Sequence, residues 1–362
     1  MYKNTILPLL AALLFLWSCG NEVEQTGLEV IKVDVKNAEE VFLSDIASDV
    51  KYIPLETTDD NLIGFIREVE HSNDFVFISD YNSLYQFSLD GSFVRKISRK
   101  GEGPGEFLAV NSFTIDEQKG HIYLLAGLNG KLLCYDFEGK FLSEVKLPVL
   151  GTLNVINGQL VLLQTAYSLP SNKEGMRNNI TYKITLSDNL KLGDSTIVSK
   201  VLVKAGTGAA MPAGMSFISA VNNNEYVYYP SPYEETFVRD TLYQIKEGRL
   251  IPDVKMDFGI NDKTSSGFLL LNILRTNEYL ISTYSLRRNS RLTLIHLPTL
   301  NSYTVEGGFQ DDFFGTGEAK LVPWNSSKDE FYFIKDAYDL EGVIDEVNVD
   351  GNPYIFIASL KE

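Results

Sequence analysis

Leu84-Tyr85-Gln86-Phe87-Ser88-Leu89-Asp90-Gly91-Ser92-Phe93-Val94 aligns, 48 residues further on, with Leu132-Leu133-Cys134-Tyr135-Asp136-Phe137-Glu138-Gly139-Lys140-Phe141-Leu142. In both copies two alternating apolar runs flank an acidic residue and a glycine. Asp-Gly and Glu-Gly in that setting read as tight hairpin turns, because glycine supplies the positive φ. Weaker copies lie at Asp188-Asn189, at Glu247-Gly248 and over 298–301. Working outward, a polar turn followed by a short aromatic, β-branched strand recurs at 75–78, 121–125, 159–163, 225–229, 278–281 and 330–334. A degenerate repeat of about 40–65 residues, built of strands and turns with no helical period, is the signature of a β-propeller. Six recurrences predict an all-β, six-bladed β-propeller.

Each blade then reads as a four-stranded antiparallel meander, A innermost and D outermost. The last blade has strand A near 319–324, strand B at 330–334 and a final strand at 354–360, with nothing after it to supply a fourth. Asp49-Val50-Lys51-Tyr52-Ile53-Pro54-Leu55 is a strand without a blade. Giving this N-terminal strand to the last blade closes the ring and removes an open sheet edge. Alternation of Ile31, Val33 and Val35 with Val30, Lys32 and Asp34 predicts a further edge strand over 28–35. The organisation expected is a leader over 1–18, an acylated tether with an edge strand over 19–40, and a single propeller over 41–362.

The leader carries Lys3 and an apolar run from Ile6 to Trp17, too short for the roughly 20 residues that span a bilayer. Leu16-Trp17-Ser18-Cys19 resembles a bacterial lipobox, which implies cleavage before Cys19 and a diacylglycerol on its thiol; a plain secretory signal with a chance cysteine is the alternative. Two or three acyl chains anchor stably where one is marginal. Cys134, within Leu132-Leu133-Cys134-Tyr135, reads as a small buried hydrophobe. The formal net charge of −16 argues against nucleic acid as a partner, which requires clustered Lys and Arg. It also disfavours a face resting on anionic headgroups and suits a soluble extracytoplasmic body.

Arg99-Lys100-Gly101-Glu102-Gly103-Pro104-Gly105-Glu106-Phe107 is the most distinctive stretch. It resembles the Gly-x-Gly-Pro-Gly-Glu-aromatic loop of a family of six-bladed propeller lipoproteins common in Bacteroidetes, related in fold to NHL-repeat propellers. Phe42–Ile46 with Val50–Thr57, and Asp350–Ile357, resemble that family's N-terminal and C-terminal strands. The resemblance implies fold and compartment and brings no agreed activity. Glu22 and Glu24, close after Cys19, resemble the export signal of outer-leaflet lipoproteins, which implies the cell surface over the periplasmic leaflet of the outer membrane. As a phosphate loop the glycine run fails: it ends in Gly-Glu-Phe and opens a strand, where a P-loop ends in Gly-Lys-Ser/Thr and opens a helix. It is expected to turn sharply and pack near the axis.

Long loops on the axial face are where function is expected. They are read at 166–179, 230–240, 285–291 and 336–353, the last with a short helix around 340–347. Arg287, Arg288 and Arg291 form the sharpest electrostatic feature. They could clamp a carboxylate or sulfate, or neutralise Asp59, Asp311 or Asp312. Tyr81, Tyr167, Tyr233, Phe313 and Phe314 would suit stacking on sugars. The ligand-binding set so read is Arg99, Lys100, Glu102, Tyr81, Tyr233, Arg287, Arg288, Arg291 and Phe313.

No catalytic set emerges. His71, His121 and His296 are scattered, and no zincin, Gly-x-Ser-x-Gly or paired-cysteine motif occurs. The reading is a non-enzymatic binding propeller on the envelope, without a cofactor, for a glycan, peptide or envelope protein. The alternative is a Ca²⁺-dependent hydrolase or lactonase, with ligands of the kind of Glu56, Asp80, Asn111, Asn154 and Asp336 converging on the axis. A lyase acting on acidic polysaccharide, with a Tyr or His base, is a third reading. Four inward carboxylate or amide oxygens converging on the axis at about 2.3–2.6 Å from one point would favour the hydrolase, and an axis lined by apolar and backbone groups the binder.

Overall fold

The computed structural model describes residues 28–97, 100–127, 129–206, 215–233 and 238–362; the leader, Cys19 and Arg99 lie outside the described residues. After strand β1 (Glu29–Lys32) and a one-turn helix α1 (Leu43–Ile46) comes β2 (Ala47–Pro54). A first antiparallel sheet follows from β3 (Glu68–His71), β4 (Phe75–Ser79), β5 (Leu84–Ser88) and β6 (Phe93–Ile97), and a second from β7 (Ser112–Asp116), β8 (His121–Ala126), β9 (Lys131–Asp136) and β10 (Phe141–Lys146). The third is β11 (Thr152–Ile156), β12 (Gln159–Pro170), β13 (Met176–Leu186) and β14 (Leu192–Lys204). The fourth is β15 (Ile218–Val221), β16 (Asn224–Val227), β17 (Thr241–Lys246) and β18 (Arg249–Asp257), with β1 added parallel to β18.

A one-turn helix α2 (Lys263–Ser266) leads to the fifth sheet: β19 (Phe268–Arg275), β20 (Tyr279–Leu286), β21 (Asn289–His296) and β22 (Asn301–Glu306). A small hairpin, β23 (Phe309–Asp311) and β24 (Gly317–Ala319), precedes the sixth sheet of β25 (Val322–Asn325), β26 (Glu330–Lys335), β27 (Tyr354–Leu360) and β2. The N-terminal strand is thus hydrogen-bonded to the C-terminal one, from Ala47 opposite Leu360 to Pro54 opposite Tyr354. The six strands most legible in the sequence are the second strands of the six sheets. Both aligned hairpins turn where glycine requires it, at Gly91 (φ 89°) and Gly139 (φ 75°). Among the described residues no helix is long and apolar enough to cross a membrane.

A strand's period of two gives each sheet two faces, and here both are buried against neighbours. Phe77 on β4 packs with Phe113 and Leu124 of the second sheet. Val76 and Ile78, on the opposite face of β4, pack with Ile53, Ile355 and Ile357 of the sixth. The same pattern runs through the chain. Tyr123 and Leu125 meet Leu153 and Leu162, Ile156 and Leu163 meet Ile218 and Val227, Val221 and Leu242 meet Phe268 and Leu280, and Ile281 and Leu294 meet Phe331 and Phe333. Strand β1 and the residues after it join the fourth-to-fifth core through Ile31, Val33 and Val35 while Val30 stays exposed. The result is an all-β, propeller-like arrangement of four-stranded sheets.

Three loop expectations are corrected. Residues 166–179 are mostly strand, because β14 supplies Val201 and Val203 as a third rung on which β12 and β13 extend to Pro170 opposite Arg177. The 285–291 loop shrinks to a two-residue turn, Arg287-Arg288, with φ of 53° and 73°. In place of a helix around 340–347 there is a 3₁₀ turn at Ala337–Leu340, since Gly342 and Glu346 take positive φ (74° and 59°) and break the helical path.

Candidate axial binding site

The first strands of four sheets, the segment leading into β15 and Tyr332 of β26 line one cavity of about 150 Å³, with walls that include Glu68, Glu70, His71, Ser112, Asn154, Ser216 and Trp324. Alternation along β3 decides what it contributes. Glu70 sits opposite Phe77 in the ladder, so Glu68 and Glu70 share the face turned to the second sheet. Accordingly Phe113 N–H donates to Glu68 Oε2 at 3.0 Å. Val69 and His71 take the other face, where Val69 joins the core shared with the sixth sheet. The His71 ring lies flat on Trp324 at 4.1 Å, and its Nε2 is 2.8 Å from the Trp324 carbonyl oxygen.

Further bonds link neighbours in the same inner layer. Leu153 N–H donates to Ser112 Oγ (3.0 Å), Arg275 N–H to Ser219 Oγ (3.0 Å), and Asn277 N–H to the Ser326 carbonyl (2.8 Å). The first of these ties, between Leu153 and Ser112, joins two residues of the cavity wall, and the other two link neighbouring sheets further round the same layer; such support keeps a binding geometry in place.

The electrostatics are unusual for so acidic a chain, which places its carboxylates mostly in water. Burial pushes the Glu68 carboxyl from its usual 4.5 up to about 7, opposed by the Phe113 N–H, Arg67 and Ser112. Burial and then the charge of Glu68 push Glu70 from 4.5 up to about 8. The Tyr332 phenol is raised too, by burial first and then by Glu70 and Glu68. Glu70 receives no hydrogen bond among the described residues, while Asn154 Nδ2 and Arg67 Nε are buried donors without a partner.

A pH signature follows. Both carboxyls titrate higher folded than unfolded, so between pH 4.5 and 8 the folded chain holds protons that the unfolded chain has released. The contribution of these two carboxyls to stability is then greatest below 4.5 and falls as pH rises through 7 and 8. The Glu70→Gln variant should lose the Glu70 part of this slope. At pH 9 it should be more stable than wild type by roughly 1–3 kcal/mol, after allowance for cavity water. Urea unfolding at pH 5, 7 and 9 checks this; parallel slopes for the two proteins would contradict it.

The residues singled out in the sequence fall into separate neighbourhoods. The glycine loop is laced to the outer strands of the second sheet and does not pack at the axis. Lys131 Nζ donates to the carbonyls of Glu102 (3.1 Å) and Gly103 (2.7 Å), Gly105 N–H donates to Glu144 (3.0 Å), and Tyr135 Oη to the Gly105 carbonyl (2.9 Å). Gly105 has φ 68°, and a Cβ there would lie 2.7 Å from Phe141. This is the work of a structural turn, and Lys100 closes it through a bridge to Phe107. Tyr81 is exposed, with the Arg67 guanidinium 5.8 Å from its ring centre.

Tyr233 is buried, its hydroxyl bonded to Asn179 Nδ2. Lys263 Nζ donates to the carbonyls of Ser231 and Tyr233, and Arg287 N–H donates to Gly267. Tyr233 and Arg287 are thus joined through the α2 loop. Arg291 stands apart: it pairs with Glu306 at 3.0 Å and donates to the Val35 carbonyl. The neutralising role is met there, but by Glu306 and not by Asp59, Asp311 or Asp312. Asp311 accepts from Phe313, Phe314 and Thr316, and Asp312 from Ser44. Phe313 lies in the β23–β24 turn, and Arg288 is exposed at its hairpin tip.

Of the residues considered for an axial metal, only Asn154 lines the cavity. Glu56 accepts from Phe93 N–H, Asp80 caps its own turn at Asn82 and Ser83, Asn111 caps Gly127, and Asp336 precedes the 3₁₀ turn. Among the described residues no group of three His, Cys, Asp or Glu could hold a metal ion. Cys134 is buried and burial raises its thiol to about 11, as suits an inert core residue. Glu68, Glu70, Trp324 and Tyr332 were not singled out in the sequence. For Glu68, Glu70 and Trp324 the signal was the segment just before a legible strand, where Glu68-Val69-Glu70-His71 carries two carboxylates one period apart, whereas Tyr332 lies within one.

The fold is similar to that of a Bacteroides fragilis protein described as exported, at 19% identity over 92% of this chain and 100% of that one, with a TM-score of 0.67. Weaker similarity is found to a DUF4221 family member from Bacteroides vulgatus (8% identity, 87% and 97% covered, TM-score 0.47). The β-propeller domain of Myceliophteria thermophila Cps50 (Swd1) is comparable (11% identity, 86% and 100% covered, TM-score 0.46). No curated protein sequence matches. A family model spans residues 28–359, from β1 into β27, and the chain belongs to that family, described as Domain of unknown function (DUF4934).

Proposed function

We propose that this chain is an envelope lipoprotein, a closed six-bladed propeller of NHL-like type that acts as a non-enzymatic binding module, with its ligand seated in the axial cavity. The observation that carries the reading is the convergence of four first strands and the segment leading into β15 on one cavity that holds the Glu68 and Glu70 carboxyls and the buried Asn154 Nδ2, a donor without a partner among the described residues. Closure is supported by the core that joins Ile53 and Ile357 to Val76 and Ile78, which couples the sixth sheet to the first. Glycan, peptide and envelope protein remain the partner classes, and nucleic acid is disfavoured by the charge of −16.

The anchor is proposed at Cys19 and the location at the outer membrane, on the cell surface. The lipobox-like stretch and Glu22 and Glu24 support this, as does the exported character ascribed to the Bacteroides fragilis protein. A Cys19→Ala chain should leave the membrane fraction or accumulate unprocessed. Unchanged fractionation with the membrane would rule out the acyl anchor. For the binding role, a ligand should raise the thermal midpoint of the wild type and fail to do so with Glu70→Gln; equal shifts in both would place the site elsewhere.

A further inference from the structure

We propose that the axial cavity takes a small organic cation bearing an oxygen acceptor, with Glu70 and Glu68 facing its charge and Asn154 its oxygen. This rests on the axial-cavity reading above. The chemistry is in the lining. Two carboxylates and the aromatic rings of Trp324, Tyr332 and Phe113 border one space, and carboxylates combined with aromatic faces are the groups that hold ammonium ions. Arg67 partly offsets Glu68, but Glu70 has no cation beside it. The titratable groups that act on or are acted on by Glu70 are Glu68 from the first sheet and Tyr332 from the sixth; Arg67 acts on Glu68, and His71 borders the same cavity from the opposite face of β3. The second, third and fourth sheets present uncharged Ser112, Phe113, Thr152, Leu153, Asn154, Met215 and Ser216.

Ionised together, the two carboxyls repel and are poorly hydrated, so each takes up protons readily. A bound cation removes that penalty by pairing with Glu70. Binding therefore releases a proton at neutral pH and tightens as pH rises, for a ligand whose own charge is fixed. A cavity of about 150 Å³ is the size that accommodates a ring of benzene dimensions, which admits a cation of roughly that bulk. The buried, unpaired Asn154 Nδ2 would gain a partner from a hydroxyl or carbonyl oxygen.

Choline and its uncharged isostere 3,3-dimethylbutan-1-ol separate charge from shape. Trp324 is the only tryptophan outside the leader, which holds Trp17, so its fluorescence in the processed protein reports on the cavity itself. We expect choline to change Trp324 emission with a dissociation constant about tenfold tighter at pH 9 than at pH 6, and to bind at least about tenfold tighter than the isostere. Glu70→Gln should reduce the pH preference to the part that Glu68 supplies, with its far-ultraviolet circular dichroism and its thermal midpoint at pH 5 matching wild type as a control of folding.

Equal binding of choline and isostere, both reported by Trp324, would overturn the cation while leaving the cavity as the site. Choline binding seen by calorimetry without any response from Trp324 would overturn the cavity reading itself. No binding of choline or ethanolamine at millimolar concentration, or Ca²⁺ displacing choline through Glu70, would overturn the proposal.

Discussion

Replacing Phe356 by alanine should cost about 3–5 kcal/mol of folding stability, the range for an aromatic ring cut from a close-packed core. Phe356 is fully buried at the centre of the sixth sheet. It stands opposite Tyr52 of β2 on one side and Phe333 of β26 on the other. Its ring stacks on Phe333 at 5.0 Å and meets Tyr52 at 5.5 Å and Phe314 at 5.6 Å. Aromatic contacts of this kind add roughly 0.5–1.5 kcal/mol beyond the area they bury. The ring also sits where the two ends of the chain are joined, so the variant should open β2 and β27 together. Urea unfolding gives the energy, and amide exchange gives the location. A loss below about 1 kcal/mol, or exchange that rises in β27 but not in β2, would show that the two strands do not depend on each other.

The sheets were legible because second strands combine β-branched and aromatic residues with flanking turn chemistry. Phe75–Ile78 and Glu330–Ile334 each lie between polar turns and pack on both faces, so their composition is constrained at every position. The N-terminal strand of the sixth sheet was legible for a different reason: the last sheet had three strands in sequence, and 49–55 was an unclaimed fourth. The site was hidden by the same logic. First strands are short, and their residues answer to the cavity as well as to the ladder. In β3 they therefore read Glu-Val-Glu-His, which scores as a polar linker. Loop length misled in the other direction. Ala166–Asn179 carries too many polar residues to resemble strand, yet β14 pairs with β13 back to Met176 and holds it extended.

Charge density misled as well. Arg287, Arg288 and Arg291 are close in sequence, but a two-residue turn sends the first two to the hairpin tip while Arg291 returns along β21 to Glu306. Sequence proximity in a hairpin says little about where guanidinium groups point, since alternate residues face opposite sides. The cavity that Glu70 and Asn154 share lies elsewhere, and there Asn154 Nδ2 is a buried donor without a partner among the described residues. A feature of that kind, made by several sheets each giving two to four residues, has no linear spacing to find.

Gly91→Ala should destabilise the fold by roughly 2–4 kcal/mol, more than the ordinary cost of a glycine replaced in a turn. Two terms add. Gly91 has φ 89°, which an L side chain rarely adopts, and a Cβ there would fall 1.9 Å from the Pro54 carbonyl oxygen. The clash partner is backbone, so no rotamer change relieves it; either the β5–β6 hairpin or the end of β2 must shift. That end is tied to the hairpin by the Glu56 N–H, which donates to the Gly91 carbonyl at 2.9 Å, and by Glu56 Oε2, which accepts from Phe93 N–H at 2.6 Å. The substitution therefore pries the first sheet from the strand that completes the sixth, at the junction on which closure depends. In a closed ring the loss should be global: one cooperative transition at a lower urea midpoint, with the slope unchanged. An open array would let the first sheet loosen alone, giving a separate early transition in which Tyr85 and Phe87 become exposed while the fifth sheet stays protected. That second outcome would count against the ring, whatever the size of the energy.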